Sequence, residues 1–229
     1  AIEASDITLI KGSLLGVVLP CWQLARGGGG SLGRDFHLDR ADLGAVVAAV
    51  VVGAASLVPA SVLGSLSERI HPVDPQWLAF YQEHLPGGGP YLIVAALAAV
   101  LAGPLAEELL FRGLIYRLAR RAWGPWPGAL VSALLFGLIH GEPWYLFGLV
   151  GLGLILVFLY ETTGSLLAPV LAHAVYNGLS LALLIKQRAD LGVEQAMERQ
   201  DWVLLAVSVA LLAVAAALLS RRTRRLGTP

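Results

Sequence analysis

Two adjacent glutamates and an arginine stand inside an apolar stretch, in Pro104-Leu-Ala-Glu-Glu-Leu-Leu-Phe-Arg-Gly113. Glu108 and Arg112 are four residues apart and share a helix face, so they can pair. Glu107 lies about 100° round the helix, outside that pair. The division has chemical meaning. A paired carboxylate is held ionised and rigid, whereas an unpaired one can bind a water and act as a general base, with its pKa tuned by burial. The plainer reading is a buried ion-pair staple. Two carboxylates sharing one guanidinium carry more charge than a staple needs, and ionisable groups inside a membrane span are functional candidates by default.

Two further pairs have the same spacing. Phe136 and His140 share a face at the end of an apolar segment. Taken alone, a histidine there is more often structural or interfacial. His173 and Asn177 share a face in the middle of another apolar segment. They fit an interhelical hydrogen-bond clamp, and they equally offer an imidazole and a carboxamide donor for an oxyanion hole.

The elements that must position these residues are membrane helices. The 229 residues are 57% apolar and 14% charged, with a mean hydropathy of +0.72; soluble domains are nearer a quarter charged. A spanning helix needs ~20 mostly apolar residues, and seven stretches offer one: 7–25, 42–63, 91–118, 127–142, 144–161, 166–185 and 202–220. The first is interrupted by Lys11 and Pro20. It has neither a basic leader nor a cleavage site, so it reads as a span rather than a signal peptide. Gly103-Pro104 is expected to bend or restart the third. The fourth is short for a full span and is expected to tilt or to end inside the protein. Gly27 to Gly30 read as a flexible loop and 64–90 as an interfacial loop, while Trp123, Trp126, Trp144 and Tyr145 read as aromatic belts. Cys21, the only cysteine, excludes an internal disulfide and reads as a small core residue without a role. The fold class is therefore all-α, a bundle of six to eight transmembrane helices.

Net charge is zero, so no polyanionic partner is implied and nucleic acid is not expected. The arginines at 221, 222, 224 and 225 read as a membrane anchor. With them on the cytoplasmic side, Arg26, Arg34, Arg40, Arg117, Arg120 and Arg121 fall on the same side, giving ten basic residues against the four of Arg69, Lys186, Arg188 and Arg199. The positive-inside rule thus predicts a cytoplasmic C-terminus. At ~1.5 Å rise per residue, Glu107 and His140 lie ~20 Å from that face, with His173 and Asn177 at ~10 and ~16 Å. The three pairs converge in depth.

Several other protease chemistries are absent from the sequence. There is no His-Glu-x-x-His zinc motif, no Gly-x-Ser-Gly nucleophile motif, and no pair of aspartates inside spans. Glu-Glu-x-x-x-Arg, Phe-x-x-x-His and His-x-x-x-Asn, in that order on apolar helices, resemble the CAAX protease and bacteriocin-processing family, also called type II CAAX prenyl endopeptidase or Abi. The resemblance covers roughly residues 90–185. It implies a catalytic core over 90–185, preceded by N-terminal spans and an interfacial loop over 1–89 and followed by a C-terminal span and basic tail over 186–229. It further implies that Glu107 and His140 activate a water, that His173 and Asn177 hold the oxyanion, and that Glu108, Arg112 and Phe136 support them. The expected partners are membrane lipid and a peptide or protein substrate.

A metal-independent reaction is the preferred expectation, because one base, one partner and two donors suffice. Zinc remains chemically open, with Glu107, His140 and His173 as its ligands. The Ala/Leu/Gly/Arg-rich composition points to a bacterial cytoplasmic membrane, where a prenylated substrate is not expected. Two other classes of function fit the same polar cluster: a non-catalytic immunity or scaffold protein, and a transporter using the glutamates as a proton relay.

Overall fold

The computed structural model describes residues 16–17, 19–21, 23, 32–38, 41–77, 79, 89–189 and 199–226, and among them there are helices and turns but no strand. A short helix α1 (Leu32–Asp35) is followed by α2 (Leu43–Ala55) and α3 (Leu57–Ile70). Asp42 caps α2, its side chain accepting the Ala45 N–H at 2.9 Å. Together α2 and α3 make one 28-residue span. Pro59 has no N–H, so the Ala55 carbonyl loses its helical donor and the helix is interrupted at Ser56. The Ser56 hydroxyl donates back to the Val52 carbonyl at 2.6 Å.

The helix runs past the expected limit of 63 and into the segment read as a loop. Its serines are absorbed by hydrogen bonds. Ser65 donates to the Val62 carbonyl, and the Ser67 hydroxyl accepts the Phe147 N–H.

The glutamate-bearing span covers Leu92–Trp123 and changes its winding twice. It runs through α4 (Gly89–Leu97), a π-helical segment (Ala98–Ala102), α5 (Gly103–Leu110), a second π-helical segment (Phe111–Tyr116) and α6 (Arg117–Trp123). At Gly103-Pro104 the chain widens its turn instead of breaking. Gly124, with φ of 89°, then reverses the chain into α7 (Pro125–Ile139). This helix has 15 residues and is shorter than a bilayer-crossing helix, as its sequence predicts. It stops at His140 because Gly141 is left-handed, with φ of 69°. A single 3₁₀ turn (Pro143–Tyr145) leads into α8 (Leu146–Thr163), followed by α9 (Leu167–Ala189) and α10 (Arg199–Leu226).

Among the described residues, five helices are long and apolar enough to cross a membrane: Leu43–Ile70, Leu92–Trp123, Pro143–Thr163, Leu167–Lys186 and Trp202–Arg221. The chain is an integral membrane protein with an all-α fold. Most of the candidate span at 7–25 lies outside the described residues, as do Gly27 to Gly30. Cys21 is exposed, which corrects its reading as a core residue.

The core is built where α7 packs on α8, α8 on α3, and α2 on α9. Phe136, Leu152, Leu156, Leu159 and Ala172 are fully enclosed there. Helix α9 can carry His173 this deep because Gly53 of α2 crosses directly over the Ala172 backbone, where any Cβ would collide with the Ala172 carbonyl. Small residues at such crossings are how membrane helices approach closely.

At one end of the bundle, Arg117 donates to the Asp35 carbonyl at 2.8 Å, and Ser165 and the Leu166 N–H donate to the His37 carbonyl. The turns near 35, 117 and 165 therefore share one end, the grouping that charge bias and the alternation of spans assign to one membrane side. Trp123 and Trp126 are exposed, as belt residues should be. Trp144 and Tyr145 are only partly exposed: Trp144 packs on Trp77 with ring centroids 4.7 Å apart, and the Tyr145 ring covers Gly64.

Replacing Gly53 with valine should destabilise the protein by about 1–3 kcal/mol, the usual scale of overpacking. Thermal unfolding in detergent reads this directly. An unchanged midpoint would show that the α2–α9 crossing is not as close as described.

Candidate functional site

The site is assembled from α5, the end of α7 and the middle of α9. Arg112 donates to Glu108 Oε1 at 2.7 Å, and both side chains are completely buried. The second π-helical segment begins between them, one turn after Glu108, and carries Arg112. Arg112 also donates to the Gly153 carbonyl of α8 at 2.9 Å, and its guanidinium lies over the Phe136 ring, 4.7 Å from the centroid. Glu108 Oε1 also receives His173 Nδ1 at 2.9 Å. A carboxylate oxygen already paired with arginine can only accept, so this network places a hydrogen on His173 Nδ1 and turns Nε2 toward Glu107.

Glu107 Oε2 lies 3.7 Å from His173 Nε2 and 4.0 Å from His140 Nε2. His140 Nδ1 is 2.6 Å from the Phe136 carbonyl, which is acceptor-only, so His140 too carries its hydrogen on Nδ1 and directs Nε2 inward. Glu107 Oε2 is buried with no protein hydrogen-bond partner among the described residues. The Glu107 and His140 side chains keep 24% and 27% of their surface, against none for Glu108 and Arg112. The outer pair is partly open and the inner pair is sealed.

The structure thus brings Glu107, His140 and His173 together, with Glu108, Arg112 and Phe136 behind them. Phe136 is more central than its spacing from His140 indicates. Its ring meets His140, His173 and Phe111 edge-on while carrying Arg112 on its face. Asn177 is placed differently from its neighbour: its Nδ2 donates to the Ala99 carbonyl at 2.9 Å.

Other contributors are not marked in the sequence. The Gly153 carbonyl carries no side-chain signal at all. Tyr145 and Tyr176 join hydroxyls at 2.8 Å, next to the site. Glu142, just after His140, is half-buried.

Among the described residues, no three His, Cys, Asp or Glu side chains are grouped so as to hold a metal ion. The zinc set offered by the sequence has one oxygen and two nitrogens facing one another, but more widely spaced than the ~3.4 Å expected around a tetrahedral zinc with ~2.1 Å bonds.

Comparison with known proteins agrees with the motifs. Residues 89–179 match the family model described as Type II CAAX prenyl endopeptidase Rce1-like. The chain is similar to an Escherichia coli "Uncharacterized 24.3 kDa protein", 37% identical over 97 residues, covering 40% of this chain and 45% of that one. It is also similar to Bacillus subtilis "Putative membrane peptidase YdiL", 27% identical over 81 residues, covering 35% of this chain and 33% of that one. The chain thus spans less than half the length of each relative. No solved structure matches.

Breaking the inner pair should damage folding as well as any activity. Arg112→Ala leaves the Glu108 carboxylate buried without its cation, a change that costs about 3–5 kcal/mol, and Glu108→Gln should destabilise in the same direction. Wild-type thermal stability of Arg112→Ala in detergent would show that the pair does not hold the helices.

Proposed function

With residues 89–179 matching the family model described as Type II CAAX prenyl endopeptidase Rce1-like, we propose that this chain is an intramembrane endopeptidase whose general base is Glu107. The observation that carries the reading is the environment of Glu107 Oε2. It is a buried carboxylate oxygen with no hydrogen-bond partner among the described residues, faced by two imidazole nitrogens at 3.7 and 4.0 Å. Separations beyond ~3.5 Å suit a water between the groups better than direct bonds.

The tautomers give that water an orientation. With its hydrogen on Nδ1, His140 offers a lone pair at Nε2, and Glu107 offers another at Oε2. A water donating one hydrogen to each keeps its own lone pair free to attack a peptide carbonyl. As the C–O bond forms, the water's proton passes to Glu107, and negative charge develops on the former carbonyl oxygen. The tetrahedral intermediate collapses when the C–N bond breaks and the departing amine takes the proton back from Glu107.

His173 is the donor for the developing oxyanion. For that role His173 carries hydrogens on both ring nitrogens, Nδ1–H toward Glu108 and Nε2–H toward the developing oxyanion. Arg112 and Glu108 act through His173 by fixing its ring. The reaction derived this way requires no metal. The substrate class is a membrane-associated or lipidated peptide, because the site lies within spans that present apolar surface to lipid. The same charge bias that groups the turns near 35 and 117 assigns the C-terminus to the cytoplasm.

Glu107→Gln keeps the side chain's shape but cannot accept the water's proton. Its turnover should fall by at least ~100-fold, the usual scale for a general base, with an unchanged thermal midpoint. The measurement is cleavage of a lipidated or transmembrane peptide by purified protein, with metal content assayed alongside. Full turnover by Glu107→Gln would remove the hydrolase assignment and favour binding or transport. Inactivation by a chelator, reversed by zinc, would replace the metal-free reaction with a metal-assisted one.

A further inference from the structure

The π-helical segment Ala98–Ala102 ends with the Gly103 N–H bonded to the Ala98 carbonyl, five residues back. In the same winding the Ala99 carbonyl would be served by the N–H of residue 104. That residue is Pro104, which has none. Ala99 therefore has a carbonyl without a backbone donor, at membrane depth, where water is not available to replace it. Asn177 Nδ2 supplies the donor, at 2.9 Å. Helix α9 lies directly against this turn, since a Cβ on Gly178 would touch the Val100 side chain at 3.5 Å.

The consequence reaches the base. Gly103 closes the π turn and lies one turn before Glu107, and a Cβ on Gly103 would sit 3.8 Å from Glu107 Oε1. The end of the π turn is thus the floor beneath the Glu107 carboxylate. Any rewinding of this turn rotates and shifts Glu107 relative to His140 and His173. π-Bulges are retained mostly where a functional group must be held off the regular helical register.

We propose that Asn177 is a positioning residue: its side chain replaces the N–H that Pro104 lacks, pins the π turn to α9, and so sets the place of Glu107 against His173 on the same helix. The proposal rests on Glu107 being the general base, and adds to that reading a role for Asn177 exerted through the backbone instead of on the oxyanion.

A double-mutant cycle with Asn177→Ala and Pro104→Ala tests it, because Pro104→Ala restores an amide N–H at residue 104. Asn177→Ala alone should lower kcat at least ~10-fold with little change in KM, and lower the thermal midpoint by about 2–4 °C, the scale of one lost hydrogen bond. In the Pro104→Ala background, both losses should shrink, so that the double variant is more active and more stable than Asn177→Ala. A donor acting only on the oxyanion predicts the same activity loss in both backgrounds and an unchanged midpoint, and that result overturns the proposal. If Pro104→Ala does not fold, the midpoint of Asn177→Ala decides by itself: a fall supports the pin, and no fall overturns it. If the wild type cleaves no peptide, the functional reading fails, while coupling between positions 104 and 177 in thermal stability still tests the pin separately.

Discussion

The arrangement depends on one buried charge network, Arg112–Glu108–His173. Neither Glu108 nor Arg112 has any solvent contact, so each is tolerable only because the other is present. Their attraction does more than cancel a desolvation penalty. Arg112 reaches α8 through the Gly153 carbonyl, and Glu108 reaches α9 through His173 Nδ1. Three helices are thereby referenced to a single carboxylate oxygen, Glu108 Oε1. The Phe136 ring brings in a fourth helix by lying under the guanidinium and beside both histidines. Non-directional packing of apolar helices in lipid leaves sliding and rotation weakly determined. A network of directional bonds at one depth removes that freedom at the place where angles matter.

The network also explains why the two glutamates differ though they are adjacent and identical. Glu108 faces the bundle interior and is spent on structure. Glu107, about 100° further round, meets only imidazole nitrogens beyond hydrogen-bonding distance. Each glutamate keeps one oxygen without a hydrogen-bond partner among the described residues, Glu107 Oε2 and Glu108 Oε2, but of the two only Glu107 has a partly open side chain. Their different environments arise from helical periodicity, which is why this division was legible in the sequence.

Other features were legible to different degrees. Contacts within one turn were the readable ones: Glu108 with Arg112, Phe136 with His140, and the short α7. The common end of the turns near 35 and 117 followed from charge bias, and the turn near 165 joined them by the alternation of spans. The link between His173 and Glu108 spans 65 residues, and depth matching could bring the two to a similar level but could not say which atoms would meet. Helix α3 was cut short in the sequence reading because Pro72, Pro75, Pro86 and the three glycines at 87–89 mark 64–90 as a loop, whereas the helix continues to Ile70 with Ser65 and Ser67 bonded to Val62 and Phe147. The π turns were missed because π winding has no apolar period of its own. Pro104 was the available signal, since a proline inside a span always leaves a carbonyl that something else must satisfy.

Helix α7 shows how a bundle made for lipid can still admit water. Its 15 residues extend only ~22 Å, against a hydrocarbon thickness of ~30 Å. The chain must therefore leave helical geometry while still at membrane depth, and it does so at His140, Gly141 and Glu142. Non-helical backbone at that depth is stable only when buried in protein or lining a wet cavity. Part of this turn is satisfied internally, by the Gly141 N–H on the Leu138 carbonyl and the Tyr145 N–H on the Glu142 carbonyl. The polar side chains gathered around it, Glu142, Tyr145, Tyr176 and His140 itself, favour a hydrated recess over a lipid-facing surface. The helix that delivers His140 to Glu107 therefore also creates, by ending there, an opening through which water can arrive. Lengthening α7 to a full span would move His140 out of register with Glu107 and close that opening in the same step.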